Sequence, residues 1–182
     1  HIIYLLLNFV ILILIYVLMR KKDQKSIQLL LVTMALSACF SYFYVNCYTA
    51  QGFDFNTIPL HLCNAAVVLL FFTYAFKLEG LFYFTLFVNV LGTIFAMLMP
   101  NTGELDYWYT YNTVRFWYNH IYDFVLPICG ITLGVFARPK MKSMLKAIGI
   151  FTCYFLLCAV LNAWFNNYGV VNYFFINDIS IY

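Results

Sequence analysis

The sequence predicts an all-α fold, a polytopic membrane helical bundle with six transmembrane helices. Its composition is 65% hydrophobic and only 9% charged, with a mean hydropathy of +0.86, whereas a soluble domain carries about 25% charged residues. Apolar stretches close to the roughly 20 residues that a spanning helix needs recur along the chain. None of them alternates with a period of two, and an open sheet is excluded in lipid because its edges would leave backbone groups unpaired.

The predicted spans form a single integral membrane domain over residues 1–182. In chain order they cover residues 2–19, 29–48, 59–76, 81–99, 114–137 and 147–165, followed by an external tail at 166–182. Short polar connectors separate them. His rather than Met occupies position 1, and the tail ends without a closing helix. We therefore expect the native chain to continue beyond this numbering.

Basic residues fall in alternate connectors, which predicts the orientation. The first, third and fifth connectors hold nine of the ten Lys and Arg residues: Arg20, Lys21, Lys22, Lys25, Lys77, Arg138, Lys140, Lys142 and Lys146. The second and fourth connectors hold Asp54, Glu104 and Asp106, and only Arg115 falls on their side. The positive-inside rule then places the odd connectors in the cytoplasm and the N-terminus outside, in a multi-pass protein of the cell membrane.

Histidine, cysteine and aspartate enter the apolar spans at two places, and they form the candidate site. Ionisable residues inside a membrane are costly, so each is a candidate for function. His61 and Cys63 open the third span just behind Pro59, and His120 and Asp123 lie in the fifth span at a similar depth. Residues on two neighbouring helices at similar depth are able to meet.

Helical spacing suggests a role for each of these side chains. Residues two apart do not share a helix face, so His61 is a poor base for Cys63, whereas His120 and Asp123, three apart, do share one. This suggests Cys63 as nucleophile, His120 as its base and Asp123 as the group that orients the imidazole. We expect Cys63 and His120 to approach within about 4 Å or to be bridged by one water. The alternatives are a packed cysteine, a histidine turned toward headgroups and an aspartate that joins helices.

The heptapeptide Ile58-Pro59-Leu60-His61-Leu62-Cys63-Asn64 resembles the LPLHLC signature of the YwaF-like bacterial integral membrane proteins. These proteins are grouped with the eukaryotic transmembrane protein 164 family. Three later stretches resemble the family in the same order: Gly92 to Pro100, Arg115 to His120 with Pro127 downstream, and Asn162 followed by Asn172-Tyr173-Phe174-Phe175. The resemblance covers about residues 58–176. Ile58 replaces the usual leucine, and the family usually continues into one more helix.

The resemblance implies an acyltransferase that moves fatty acyl chains between phospholipids through a cysteine acyl-enzyme. Its partners would be membrane phospholipids and lyso-phospholipids, and it implies no cofactor and no metal. Cys63 matches the nucleophile and His120 the histidine, while His61 matches a motif position of unassigned role. Asp123 is inferred from spacing alone.

Four further residues are candidates for binding the substrate. Asn64, Asn119 and Tyr118 are placed to donate to the oxyanion, an interaction that typically contributes about 2.7–4 kcal/mol. Arg115 belongs to the same aromatic stretch as His120 and is the fourth candidate.

Two other functions remain open at this stage. Water instead of a lipid alcohol would make the same Cys/His site a lipid hydrolase. The chain more distantly resembles the androgen-induced-gene membrane hydrolases, which pair a threonine nucleophile with a histidine. A non-enzymatic transport or scaffold protein is the second, with Asn89, Asp123 and Asn162 lining a path. Nucleic-acid binding has no support, because the basic clusters are short and juxtamembrane, where they fit contact with anionic headgroups.

The orientation is tested by placing a thiol at Lys22. We expect a membrane-impermeant maleimide added outside intact cells to leave Lys22→Cys unlabelled, because that connector is cytoplasmic. A thiol at Asp106, in a connector predicted to be external, is the matched control and should react. Strong external labelling at position 22 would invert the topology.

Overall fold

In the computed structural model, helices make up almost all of the described part of the chain, residues 2–49, 58–100, 107, 109–168 and 172–174. The helices are α1 (Ile2–Met19), α2 (Gln24–Thr49), α3 (Leu62–Phe76), α4 (Glu79–Leu98), α5 (Tyr111–Thr132) and α6 (Met141–Phe165). A π-helical turn, Thr85–Asn89, interrupts α4. The predicted all-α class is confirmed.

The outside of the bundle is hydrocarbon. Four helices are long and apolar enough to cross a membrane, namely α1, residues 24–44 of α2, α4 and α6, while α3 is apolar but shorter. Large apolar side chains such as Ile3 and Ile13 of α1 are exposed, whereas Asn8 on the same helix is buried. Since exposed apolar and buried polar side chains are the pattern that lipid requires, the chain is a polytopic helical membrane protein.

Helix α5 lies at the centre of the bundle and is in contact with α1, α2, α3 and α4. Helix α6 packs instead against α4, including its π turn. The connectors that hold Asp54, Glu104 and Asp106 lie outside the described residues, as does the tail beyond Phe174. The predicted orientation and the external tail therefore stay predictions.

Several helices begin earlier than their apolar runs because a polar residue caps them. Helix α2 begins at Gln24 rather than residue 29, since the Asp23 carboxylate accepts bonds from the Ser26 amide (3.0 Å) and hydroxyl (2.7 Å). These bonds hold the pKa of Asp23 below its ordinary value. Helix α5 begins at Tyr111 rather than 114 because the Thr110 hydroxyl caps it. Polar caps extend a helix past its apolar run.

Helix α5 ends at Thr132, five residues before the predicted end at 137. Gly134 has a φ of +73°, a left-handed conformation that ends a helix and that glycine adopts without steric cost. Its amide donates to the Ile131 carbonyl at 3.0 Å. The apolar run continues past this turn, so hydropathy alone overestimates the length of the helix.

Close packing at Gly130 joins α5 to α3 and α4. A Cβ atom there would lie 2.6 Å from the Tyr74 hydroxyl and 2.7 Å from the Phe82 ring. The Tyr74 hydroxyl donates to the Leu126 carbonyl of α5, and Phe82 stacks on Phe136 with ring centroids 4.0 Å apart. These contacts fix α3 and α4 against the central helix.

We expect Gly130→Ala to destabilise the protein by about 1–3 kcal/mol, because overpacking forces side chains off their rotamers. Gly149→Ala in α6 is the matched control, since a Cβ atom there meets nothing within 4 Å. That control should be neutral or stabilising by about 0.5–1 kcal/mol. Unfolding midpoints of the two purified variants in detergent check the prediction. Equal midpoints would show that the Gly130 contact is loose.

Candidate active site

The heptapeptide leads into α3 through a short non-helical segment. Leu60 donates its amide to the Ile58 carbonyl at 2.7 Å, and His61 is extended, with φ −65° and ψ 141°. The helix begins at Leu62, three residues after the approximate start expected at Pro59, because the tight turn at Leu60 and the extended His61 keep Pro59 outside the helix. Cys63 is consequently the second residue of α3 and lies in its first turn.

Helix α6 satisfies the backbone of this segment. The Leu60 carbonyl accepts a hydrogen bond from the Tyr154 hydroxyl at 2.7 Å and a weaker one from the Cys158 thiol at 3.8 Å. Non-helical backbone inside a membrane protein needs such partners, because lipid offers none. The heptapeptide is thus held from outside α3 by side chains of α6.

Asn162 on α6 holds the segment around Tyr173 next to the heptapeptide. Its amide nitrogen donates to the Tyr173 carbonyl and its oxygen accepts from the Tyr173 amide, both at 2.8 Å. The Tyr173 side chain is fully buried and its ring lies edge-on to His61, with centroids 5.6 Å apart. Asn162 is therefore bonded to the chain itself, in contrast to the path-lining position that a transport function assigned to it.

His120 on α5 is buried and held by its own helix. Its Nδ1 atom lies 2.7 Å from the Phe116 carbonyl oxygen, and its ring packs on Phe116 with centroids 4.1 Å apart. A carbonyl oxygen can only accept, so Nδ1 carries the proton and Nε2 keeps the lone pair. Within the described chain Nε2 has no hydrogen-bond partner. This tautomer is the one that a general base needs.

Asp123 is fully buried on the same face of α5 as His120, as the spacing predicts. Its carboxylate oxygens have no hydrogen-bond partner among the described residues, and the carboxyl lies close enough to Cys63 to interact with it electrostatically. Asp123 does not hold the imidazole, since Phe116 fills that role. Pro127 lacks an N–H, so the Asp123 carbonyl also loses its usual helical donor.

Cys63 carries a free thiol and is half-buried. Within the described part of the chain no hydrogen bond joins it to His120, whose Nδ1 is engaged by Phe116 and whose Nε2 has no partner. The expected approach of the two side chains, within about 4 Å or through one bridging water, stays a prediction. Asn64, next to Cys63, is half-buried as well.

The three candidates that precede His120 on α5 divide between two environments. Asn119 is buried, and its side-chain oxygen has no partner among the described residues; it shares a face with Asp123, four residues on. Arg115 and Tyr118 line a groove of about 660 Å³ between α2 and α5. The Tyr118 hydroxyl lies 2.9 Å from the Ser37 hydroxyl. The structure therefore separates Asn119 from the groove residues.

Four polar residues that the sequence did not assign to the site are also buried with atoms that are unbonded among the described residues. These are Asn8 on α1, Thr73 on α3, and Asn89 and Thr93 on α4. The signal in the sequence is a polar residue inside an apolar run, and only Asn89 was predicted to have a role, as a path-lining residue. Burial distinguishes all four from solvent-facing polar residues.

A model of the TMEM164 family matches residues 1–180, almost the whole chain. No curated protein and no solved structure matches the chain.

We expect Asn162→Leu to lower stability by about 2–3 kcal/mol, because the Tyr173 amide and carbonyl lose both partners while buried. Asn167→Leu is the matched control on the next turn of the chain. Its side chain is exposed and bonds only to carbonyls of α6, so a change within about 0.5 kcal/mol is expected. Thermal unfolding of both variants in detergent checks this. Equal midpoints for Asn162→Leu and Asn167→Leu would show that the two hydrogen bonds between Asn162 and Tyr173 do not stabilise the fold.

Proposed function

The chain belongs to the TMEM164 family, and from that premise we propose that it is an integral membrane lipid acyltransferase. Cys63 is the nucleophile, His120 the base, and acyl chains move between phospholipids and lyso-phospholipids. The support is the family match together with a thiol and a base-competent imidazole on neighbouring helices.

The observation that carries the proposal is the state of His120. Burial alone would fit a packed histidine, but a packed histidine has both ring nitrogens satisfied. Here Nδ1 is fixed by Phe116, and Nε2 is unbonded within the described residues. An imidazole with one nitrogen anchored and a free lone pair on the other is the arrangement of a general base.

In the first half-reaction, the Cys63 sulfur attacks the ester carbonyl carbon of a phospholipid. The thiol proton passes to Nε2 of His120 as the S–C bond forms. The C–O bond of the ester then breaks, and His120 returns that proton to the departing lyso-lipid oxygen. Asn119 or Asn64 donates to the carbonyl oxygen while it carries negative charge.

In the second half-reaction, the hydroxyl of another lyso-lipid attacks the thioester. Its proton passes to His120, the new C–O bond forms, the C–S bond breaks, and the proton returns to sulfur. A site without free water favours this transfer over hydrolysis, and His120 and Asp123 are both buried. Burial of these two groups thus supports transfer as the main reaction.

The groove between α2 and α5 is the proposed seat of the donor lipid. Apolar side chains such as Leu36 and Phe40 form its walls, and Arg115 lies at its α5 side. A guanidinium group pairs with a phosphate through two parallel hydrogen bonds. Arg115 would hold the headgroup phosphate while an acyl chain lies along the apolar wall.

We expect Cys63→Ala to abolish acyl exchange and His120→Gln to slow it about 10²–10⁴-fold, the usual contribution of a positioned base. The assay reconstitutes the protein in vesicles with a phospholipid carrying a labelled acyl chain and a lyso-phospholipid of another headgroup. Label appearing in the second headgroup class measures transfer. Cys153→Ala, which removes an exposed thiol on α6, is the control and should keep wild-type rates.

Two results would change the assignment. Label released only as free fatty acid would make the protein a hydrolase with the same site. Exchange by Cys63→Ala equal to wild type would end the enzyme assignment, because the proposed reaction has no other nucleophile.

A further inference from the structure

Asn89 is buried, and its side chain forms no hydrogen bond with the described part of the chain. It ends the π-helical turn of α4, and 2% of its surface is exposed. Neither its amide nitrogen nor its amide oxygen has a partner among the described residues. π-Helical turns are rare and often occur at functional sites. A buried amide with both atoms unbonded lowers stability, so a ligand that bonds to it is the natural explanation.

Thr93, one turn further along α4, has the same property. It is 1% exposed, and its hydroxyl is likewise unbonded in the described part of the chain. Asn89, Thr93 and Met97 are spaced four residues apart and form one stripe along the helix. At the end of this stripe, the Asn8 side chain of α1 donates to the Met97 sulfur at 3.4 Å. The stripe therefore faces the interior of the bundle.

A close contact places the part of α4 that carries this stripe against the start of α3. A Cβ atom on Gly92, next to Thr93, would lie 3.1 Å from a Leu62 methyl group, and Leu62 precedes Cys63. Asn89 is three residues, about 4.5 Å along the helix, from Gly92. Helix α4 also packs against α5, which carries His120 and Asp123. The two α4 side chains thus lie at about the depth of the thiol.

We propose that Asn89 and Thr93 form the subsite that binds the free glycerol hydroxyl of the lyso-lipid acceptor. The inference rests on the proposed function and names the substrate group that these residues recognise. The Asn89 amide and the Thr93 hydroxyl can each both donate and accept hydrogen bonds, and a ligand hydroxyl can do the same. An ester carbonyl only accepts and would leave the Asn89 oxygen unbonded, and a phosphate would be better matched by a cation.

The test measures binding, so it needs no turnover. Full-length protein in detergent micelles is given 1-oleoyl-lysophosphatidylcholine or its 2-deoxy analogue, which lacks the glycerol hydroxyl. The wild type should bind the hydroxyl form about 3- to 10-fold more tightly, the worth of one or two hydrogen bonds. In Asn89→Leu and Thr93→Val this preference should fall to less than about 2-fold, while the affinity for the deoxy analogue stays unchanged.

Thr73→Val is the matched control. Thr73 is also fully buried with a hydroxyl that is unbonded among the described residues, but it lies ten residues beyond Cys63 on α3, about 15 Å away. This variant should keep the full preference. Thr93→Val should also unfold at the same or a higher temperature than wild type, because it removes an unpaired buried polar group. A structural bond at Thr93 predicts a lower temperature instead.

The outcomes separate the two proposals. A hydroxyl preference that is absent in the wild type, or that survives in Thr93→Val, overturns the subsite. A loss of affinity for both ligands in Thr93→Val also overturns it, since that result indicates general packing. Cys63→Ala should retain the preference. If the wild type shows the hydroxyl preference but no acyl transfer, the proposed reaction is contradicted, while the hydroxyl-binding site is still supported.

Discussion

Every polar group inside this bundle has left water for surroundings in which only the protein can bond to it. An unbonded buried group costs about 1–3 kcal/mol, so most are paired in a folded protein. The buried polar side chains therefore fall into two sets, those that have a hydrogen-bond partner in the protein and those that are unbonded in the described part of the chain. Tyr154 and Asn162 bond to backbone groups and hold the fold, whereas Nε2 of His120 and the carboxylate of Asp123 are unbonded among the described residues.

The two sets depend on each other. The bonded side chains of α6 hold the non-helical segment that ends at His61, and this segment sets where α3 begins. The start of α3 in turn places Cys63 in the first turn of the helix. Gly130 allows α3 and α4 to approach α5 closely. Unbonded polar groups that lower stability persist when function requires them, and among the described residues His120 and Asp123 carry such groups on the central helix.

The sequence predicted the fold well because a spanning helix is encoded by composition over a long window. It predicted the ends less well: Asp23 and Gly134 move the boundaries through local hydrogen bonds and backbone conformation, to which hydropathy is insensitive. The spacing of His120 and Asp123 predicts that they share one helix face, and both side chains are buried in the structure. The imidazole of His120 is oriented by the Phe116 carbonyl and not by Asp123. The sequence does not reveal this contact, because a backbone carbonyl has no sequence signature. The π turn that presents Asn89 has none either.

The central claim is that the Cys63 sulfur carries an acyl group during the reaction. The most direct measurement is mass spectrometry of the purified protein after brief exposure to phospholipid vesicles, with His120→Gln included to slow turnover. The account predicts a fatty acyl mass on the peptide containing Cys63, removed by neutral hydroxylamine as a thioester is. Wild-type protein that exchanges acyl chains while Cys63 remains unmodified at every time point would contradict it.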